Sequence, residues 1–215
     1  MSHLAGGASE LDFTASNRRT YDRIARRYAD RQVQLPSEAE HWLADLEDSF
    51  VASLPPGGIV GDLGCGPAYD GLRLADKGLQ VVGIDLSAGM LEVAAQHLGA
   101  HLIQADLRAL PIASQHLDGI WNVASMLHIP EHDTVAVLTE FRRIMKPSGS
   151  FVLVTALGDA SRHEAVPYAS DESRWFVYRD PMVLRAQMTD AGFVIQHEKE
   201  VQGNRRWWTA LGSTI

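Results

Sequence analysis

The chain has 215 residues with a formal net charge of −8; 46% of them are hydrophobic, 21% charged, and one is a cysteine. That length predicts one domain able to bury a sizeable core, and the composition excludes a disordered chain. The acidic balance argues against nucleic acid or an anionic membrane as a partner, the lone cysteine excludes an intrachain disulfide, and no apolar run reaches the length of a membrane span.

Met1 to Gly7 lacks the basic and apolar regions of a signal peptide, which gives a cytoplasmic expectation. Residues 1 to about 13 read as a loose arm. From Ala15 to about Asp30, Tyr21, Ile24, Ala25 and Tyr28 fall on one face of a helix and arginines fill much of the remainder, either as a solvated face or as part of a lid over a ligand. A second helix is expected from Ser37, an N-cap after Pro36, through Trp42, Leu43, Leu46 and Phe50, with Pro55-Pro56-Gly57-Gly58 as its stop. Residues 1–55 are thus expected as an N-terminal helical arm and cap on a domain spanning 56–215.

From Ile59 onward strands and helices alternate: strand 59–63, a glycine turn and helix to Lys77, strand 80–84, helix 88–98 capped by Ser87, strand 101–105, strand 117–123, helix 133–145 and strand 150–156. Such alternation predicts a mostly parallel sheet covered on both faces. Gly158 to Ser173 reads as a long polar loop of functional or mobile character. A helix from Asp180, with Pro181 at its first position, precedes an antiparallel hairpin of 193–201 and 205–211.

Chemistry concentrates at the strand ends. Val60-Gly61-Asp62-Leu63-Gly64-Cys65-Gly66 joins a strand to a helix start, where glycines let a ligand approach main-chain N–H groups. Asp62, Asp85 and Asp106 lie at or beside the ends of successive strands, the edge at which open parallel sheets bind ligands. Asp85 lies 21 residues after Gly64, close to the offset at which an acid meets ribose hydroxyls. Tyr69 occupies the position that a dinucleotide fingerprint gives to glycine or alanine, and Asp62 would repel a pyrophosphate. The pattern therefore points to a small ligand at a nucleotide-type site and away from a dinucleotide.

The segments Asp62-x-Gly64-x-Gly66, Val82-Gly83-Ile84-Asp85-Leu86-Ser87-x-x-Met90-Leu91, Ala105-Asp106-x-x-x-Leu110-Pro111, Leu117-Asp118-Gly119-Ile120 and Leu138-x-Glu140-x-x-Arg143-x-Met145-Lys146-Pro147-x-Gly149 resemble, in order and spacing, class I S-adenosylmethionine-dependent methyltransferases. The resemblance covers residues 59–156 and departs from the family at Ala68, where a third glycine is usual. It implies an α/β Rossmann-like three-layer sandwich with a mostly parallel seven-stranded sheet, an antiparallel last strand and an N-terminal helical cap. It also implies that S-adenosylmethionine is the cofactor.

By the same resemblance Gly64, Cys65 and Gly66 border the methionine part of the cofactor, with Asp62 toward its ammonium. Asp85 takes the ribose hydroxyls, Leu86 and Met90 flank the adenine, Asp106 accepts from the adenine amino group and Leu107 packs on the ring. Asn122 and Ala124 line the channel beside the sulfonium. Tyr21 and Tyr28, in a segment similar to that of ubiquinone-type small-molecule methyltransferases, close the pocket and bond the cofactor carboxylate.

His128 is the candidate general base, because an unperturbed histidine titrates near neutrality, with a structural hydrogen-bonding role as the alternative. Pro130 between His128 and His132 argues against a metal pair, and none is expected. Cys65 reads as a packing residue. Arg174, Trp175 and Tyr178 are candidate substrate contacts or members of an edge strand. The leading expectation is methyl transfer to the oxygen, nitrogen or carbon of a small molecule, by a monomer or homodimer with no membrane or nucleic-acid partner. The alternatives are a tRNA methyltransferase of the wobble-uridine type, which the segment 174–179 and Trp207-Trp208 loosely resemble, and a non-catalytic cofactor-binding protein.

Overall fold

The computed structural model describes residues 11–33, 41–99 and 101–215. The proposed N-cap Ser37 and most of the N-terminal arm lie outside them. The central layer is a seven-stranded sheet ordered β3-β2-β1-β4-β5-β9-β8. Its strands are β1 (Ile59–Leu63), β2 (Gln80–Asp85), β3 (Leu102–Gln104), β4 (Leu117–Val123), β5 (Met145–Ala156), β8 (Phe193–Gln202) and β9 (Arg206–Thr214). All pairings from β3 to β5 are parallel, and β9 runs antiparallel to both β5 and β8. The chain moves outward one way from β1 to β3 and then returns to the other side of β1 as β4. The strand ends at that reversal form a crevice, the usual ligand edge of an open sheet.

Helices cover both faces because adjacent residues of buried strands point opposite ways. In β5, Phe151 and Leu153 join Val137, Leu138 and Phe141 of α5 (Thr134–Ile144) and Leu184 and Met188 of α6 (Pro181–Asp190). Val152 and Val154 face the other layer, with Leu43 and Phe50 of α2 (His41–Ala52), Leu74 of α3 (Tyr69–Asp76) and Leu98 of α4 (Ala88–Leu98). Caps follow the local sequence: the Ser87 hydroxyl accepts from Met90 N, and the Asp180 carboxylate accepts from Met182 N and Val183 N ahead of α6. Among the described residues no helix is long and apolar enough to cross a membrane.

The polar stretch 158–173 is not a loop. It contributes β6 (Arg162–Val166) and most of β7 (Ala169–Phe176), an antiparallel pair outside the main sheet. This hairpin meets α1 (Leu11–Val33), and the two form the cap over the crevice, whereas α2 belongs to the layer packed on the sheet. Charged side chains fasten hairpin to helix. Glu172 of β7 is buried and takes both Arg23 and the Thr20 hydroxyl, the latter at 3.1 Å.

At its other side α1 sits on the start of α4. The Asp22 carboxylate accepts from the Ser87 hydroxyl at 2.7 Å and from Gly89 N at 3.1 Å. A Cβ on Gly89 would stand 2.6 Å from the Asp22 carbonyl oxygen, so the two backbones can approach this closely only with glycine. Gly89→Ala is expected to cost about 1–3 kcal/mol through this overpacking. Limited proteolysis should then cut α1 sooner while the sheet keeps its protection, and unchanged cleavage rates at both would contradict the contact.

Candidate functional site

The floor of the crevice is the turn after β1. Gly64 N and Cys65 N both donate to the Ile84 carbonyl, at 2.7 and 3.0 Å, while the Asp85 carboxylate accepts from Gly66 N at 2.9 Å and Ser87 N at 2.8 Å. The turn is thus laced to the end of β2. Gly64 and Gly66 have φ of 77° and 51°, a region favouring glycine, and Ala68 adopts the same left-handed conformation at φ 61°. Gly64 is required by packing as well, because a Cβ there would run into the Ser125 hydroxyl. The Cβ direction of Gly66 is open and meets only the Tyr28 ring, at 4.0 Å.

Cys65 fills space in the apolar core between α3, α4 and the sheet, and burial pushes its thiol pKa up, as suits an inert packing residue.

Acid surrounds this turn. Asp70 is neutralised by Arg73 at 2.9 Å and accepts from the Trp121 indole at 2.8 Å. Asp62 is 3% exposed, and its Oδ2 has no hydrogen-bond partner. Burial first, then the charges of Asp70 and Asp85, hold the Asp62 carboxyl well above the usual carboxylate range. Burial likewise raises Asp85 against the lowering effect of its backbone donors. Asn122 is fully buried and donates to the Leu63 carbonyl at 2.7 Å, tying β4 to β1, with its Oδ1 unpartnered. These orphaned acceptors and the open Gly66 face fit a ligand that brings a cation and hydrogen-bond donors.

Other expected cofactor contacts are placed differently from one another. Leu86 is partly exposed beside the crevice, whereas Met90 is fully buried in the seam with Ala25 and Ala29 of α1. Leu107 is packed into the core. Asp106 is held by its neighbour Arg108 through Nε at 3.0 Å, Nη2 at 2.6 Å and the backbone N–H at 2.9 Å. Burial opposes its ionisation, but these bonds prevail and keep its pKa below the ordinary value. Ala124, at φ 54°, packs with Leu127 and Phe176.

The roof is aromatic. Tyr21 and Tyr28 of α1 lie edge to face at 5.9 Å, and Tyr28 meets Tyr168 of the hairpin at 6.5 Å. The Tyr21 hydroxyl lies 2.7 Å from His128 Nε2, while His128 Nδ1 lies 3.0 Å from the Trp175 carbonyl oxygen. The Asn17 amide nitrogen also lies 3.2 Å from Nδ1 but donates to the same Trp175 carbonyl at 2.9 Å; that carbonyl only accepts and is the nearer partner of Nδ1, so Nδ1 carries the proton and Nε2 accepts from Tyr21. Burial depresses the His128 pKa from 6.5 to about 4. The ring is neutral at pH 7, and its stabilising contribution, present above pH 6.5, is lost as pH falls toward 4. An isolated imidazole facing the ligand, as expected of a general base, is not found.

Arg174 and Trp175 part company because neighbouring residues of a strand face opposite ways, and Tyr178 lies just beyond the end of β7. Trp175 points out of the crevice, stacked on Phe13 of α1 at 4.2 Å, and its backbone N–H and C=O are both bound by the Asn17 amide. It clamps hairpin to helix. The Tyr178 hydroxyl is bonded to Glu164, Arg162 and Arg205, so its polar end is committed. Arg174 points inward. Asn17, Ser125, Tyr168 and Phe176 are additional participants that no local pattern identifies, since each acts through partners distant in sequence.

Residues 60–149 match the family model of a methyltransferase domain. The chain is 34% identical over 117 residues to a malonyl-[acyl-carrier protein] O-methyltransferase of Enterobacter lignolyticus, an alignment covering 53% of this chain and 45% of that protein. It is 32% identical over 162 residues to a demethylmenaquinone methyltransferase of Symbiobacterium thermophilum, covering 67% and 61% respectively. The chain thus spans about half the length of these curated relatives. The fold matches Burkholderia thailandensis 1,6-didemethyltoxoflavin-N1-methyltransferase, solved with 1,6-didemethyltoxoflavin and S-adenosylhomocysteine, with a TM-score of 0.75 and 16% identity, covering 99% of this chain and 93% of that one.

Asp62→Asn is expected to weaken S-adenosylhomocysteine binding tenfold or more, about 1.4 kcal/mol, because it removes the carboxylate that meets the ligand's cation. In the wild type, binding should release protons, since a cation beside Asp62 lowers its raised pKa, so affinity rises with pH through that pKa. Calorimetry in buffers of different ionisation enthalpy measures this release; no buffer dependence, or one that persists in Asp62→Asn, would remove the assignment.

Proposed function

We propose that this chain, whose residues 60–149 match the family model of a methyltransferase domain, is a class I S-adenosylmethionine-dependent methyltransferase that binds S-adenosylmethionine and transfers its methyl group to a small organic acceptor. The observation that carries this proposal is the buried carboxylate of Asp62, unpartnered at Oδ2 beside a glycine turn at the sheet's switch point. When bound, the cofactor supplies a methyl group activated by a sulfonium. Asp62 would hold its ammonium and Asp85 its ribose hydroxyls, using lone pairs left over from Gly66 N and Ser87 N. Gly66 supplies space, and Asp106 stands at the adenine end already charge-paired with Arg108.

Displacement at a sulfonium needs alignment and exclusion of water more than a strong base. Tyr21, Tyr28 and Phe176 supply apolar walls on the cap side. His128 is too weak a base at neutral pH to deprotonate an acceptor in the ground state. What it does is fix Tyr21: by accepting the phenolic proton at Nε2, it turns the hydroxyl's lone pairs away from itself. An acceptor hydroxyl or amine can donate to that oxygen as the new bond forms. His128 is accordingly a positioning residue for Tyr21.

The cap favours a small acceptor, because α1 and the hairpin are fastened together by Trp175 and Glu172. Trp175 is occupied in that clamp, and nothing in the segment 174–179 presents the exposed stacking surface that a tRNA acceptor would call for.

Incubation of the protein with S-adenosylmethionine and a metabolite panel should release S-adenosylhomocysteine with at least one acceptor; tight cofactor binding with no release across the panel would favour a non-catalytic binding protein. The pH–rate profile of any such transfer should show no ionisation of His128 between pH 6 and 7. His128→Asn should lower kcat about tenfold with little change in cofactor affinity. A histidine-like inflection near 6.5 that vanishes in the variant would contradict the positioning role.

A further inference from the structure

Among the described residues, the cap buries a cation with no carboxylate paired to it. Arg174 is 9% exposed, on the inward side of β7, and its Nε has no hydrogen-bond partner. Its Nη1 lies 3.4 Å from the Tyr21 hydroxyl, and its guanidinium is 5.1 Å from the centre of the Phe176 ring and 5.9 Å from that of Tyr21. Among the described residues no carboxylate forms an ion pair with it. Of the three acids of the hairpin, Glu172 is engaged with Arg23 and Glu164 with Arg162 and Arg205, while Asp171 is exposed on the opposite face of β7 from Arg174.

A second polar group is orphaned in the same cluster. The Tyr168 hydroxyl is buried without a partner, and its ring packs with Tyr21, Tyr28 and Ile24. Leaving a buried guanidinium uncompensated costs free energy, as does leaving a phenolic hydroxyl unbonded. Both costs fall away if one ligand brings two or more anionic oxygens. Guanidinium is suited to a planar oxyanion, to which it can present two parallel donors.

We propose that Arg174, through Nε, and Tyr168, through Oη, form an anion site in the cap that takes a carboxylate or comparably planar oxyanion of a ligand in the crevice. The proposal rests on the methyltransferase function above and names the group that this side of the crevice recognises. Two ligands bring such a group: the α-carboxylate of the cofactor and an acidic acceptor. The site is opposite in sign to the floor, where Asp62 and Asp85 await a cation and hydrogen-bond donors. A zwitterion, or a cationic donor with an anionic acceptor, would satisfy both sides together.

The test begins with calorimetry of S-adenosylhomocysteine and of 5′-methylthioadenosine, which keeps the nucleoside and thioether but lacks the carboxylate, on wild type, Arg174→Met and Tyr168→Phe. If the cofactor is the source, Arg174→Met weakens S-adenosylhomocysteine roughly 10–100-fold and leaves 5′-methylthioadenosine unchanged, with Tyr168→Phe giving a smaller loss. If an acceptor is the source, both nucleosides bind the variants as they bind wild type. Formate titrated into the S-adenosylhomocysteine-loaded wild type should then shift the Arg174 Nε–H NMR resonance, assigned by its absence from Arg174→Met, in a saturable way. No selective loss in the first experiment together with no saturable shift in the second overturns the anion site.

If Arg174→Met fails to fold, the Nε–H resonance is assigned by its absence from Arg174→Lys and the formate titration is made on the free wild-type protein, so the measurement remains decisive. Failure of wild type to bind S-adenosylhomocysteine would count against the methyltransferase function itself, and the formate titration is then read on the free protein, where the same saturable shift supports the anion site and its absence overturns it.

Discussion

The functional edge depends on the way the Gly64–Gly66 turn is tied to the end of β2. Two N–H groups share the Ile84 carbonyl, and one carboxylate, Asp85, bridges Gly66 N and Ser87 N. A glycine-rich turn has no side chains of its own to hold it, so its shape must come from main-chain bonds to a rigid neighbour. The parallel pairing of β1 with β2 provides that neighbour in fixed register, with Leu63 opposite Ile84. The residue best placed to bind a ligand's hydroxyls is therefore also the one that shapes the floor beneath them.

Charge is arranged by position more than by total. The chain is acidic overall, and the crevice floor concentrates acid where water is scarce. The cap opposes it with Arg174 inside and other arginines spent on fastening the hairpin. Buried charges of opposite sign across a gap make a preorganised field, the kind of environment that orients a polar ligand without rearranging when it arrives.

The α/β core was legible in the sequence because β1 to β5 contain short, largely apolar stretches separated by glycine, proline and serine signals, and Ser87 caps its helix where the pattern places the cap. The strand-end acids were legible for the same reason: Asp85 closes β2, Asp106 follows β3, and Asp62 stands one residue before the end of β1. The hairpin of β6 and β7 was not. Its inward positions include Glu172 and Arg174, so the period-two alternation of a strand is hidden when only apolar residues are counted. With that strand missed, the opposite facing of Arg174 and Trp175 was out of reach. His128 was recognisable as a special residue, but its nitrogens are claimed by Tyr21, 107 positions away, and by the Trp175 carbonyl, 47 positions away. No local pattern carries such pairings.

Ser87 joins three structures at one residue. Its N–H bonds Asp85 at the floor, its hydroxyl caps α4, and the same hydroxyl donates to Asp22 on α1. A ligand that draws Asp85 toward itself must adjust Ser87, and through it the seat of the helix that roofs the crevice. By reciprocity, whatever lifts that helix loosens the hold on the ligand by an equal free energy. The consequence is an equilibrium coupling of floor to roof through one side chain: a ligand that strengthens the Asp85–Ser87 bond also firms the seat of α1.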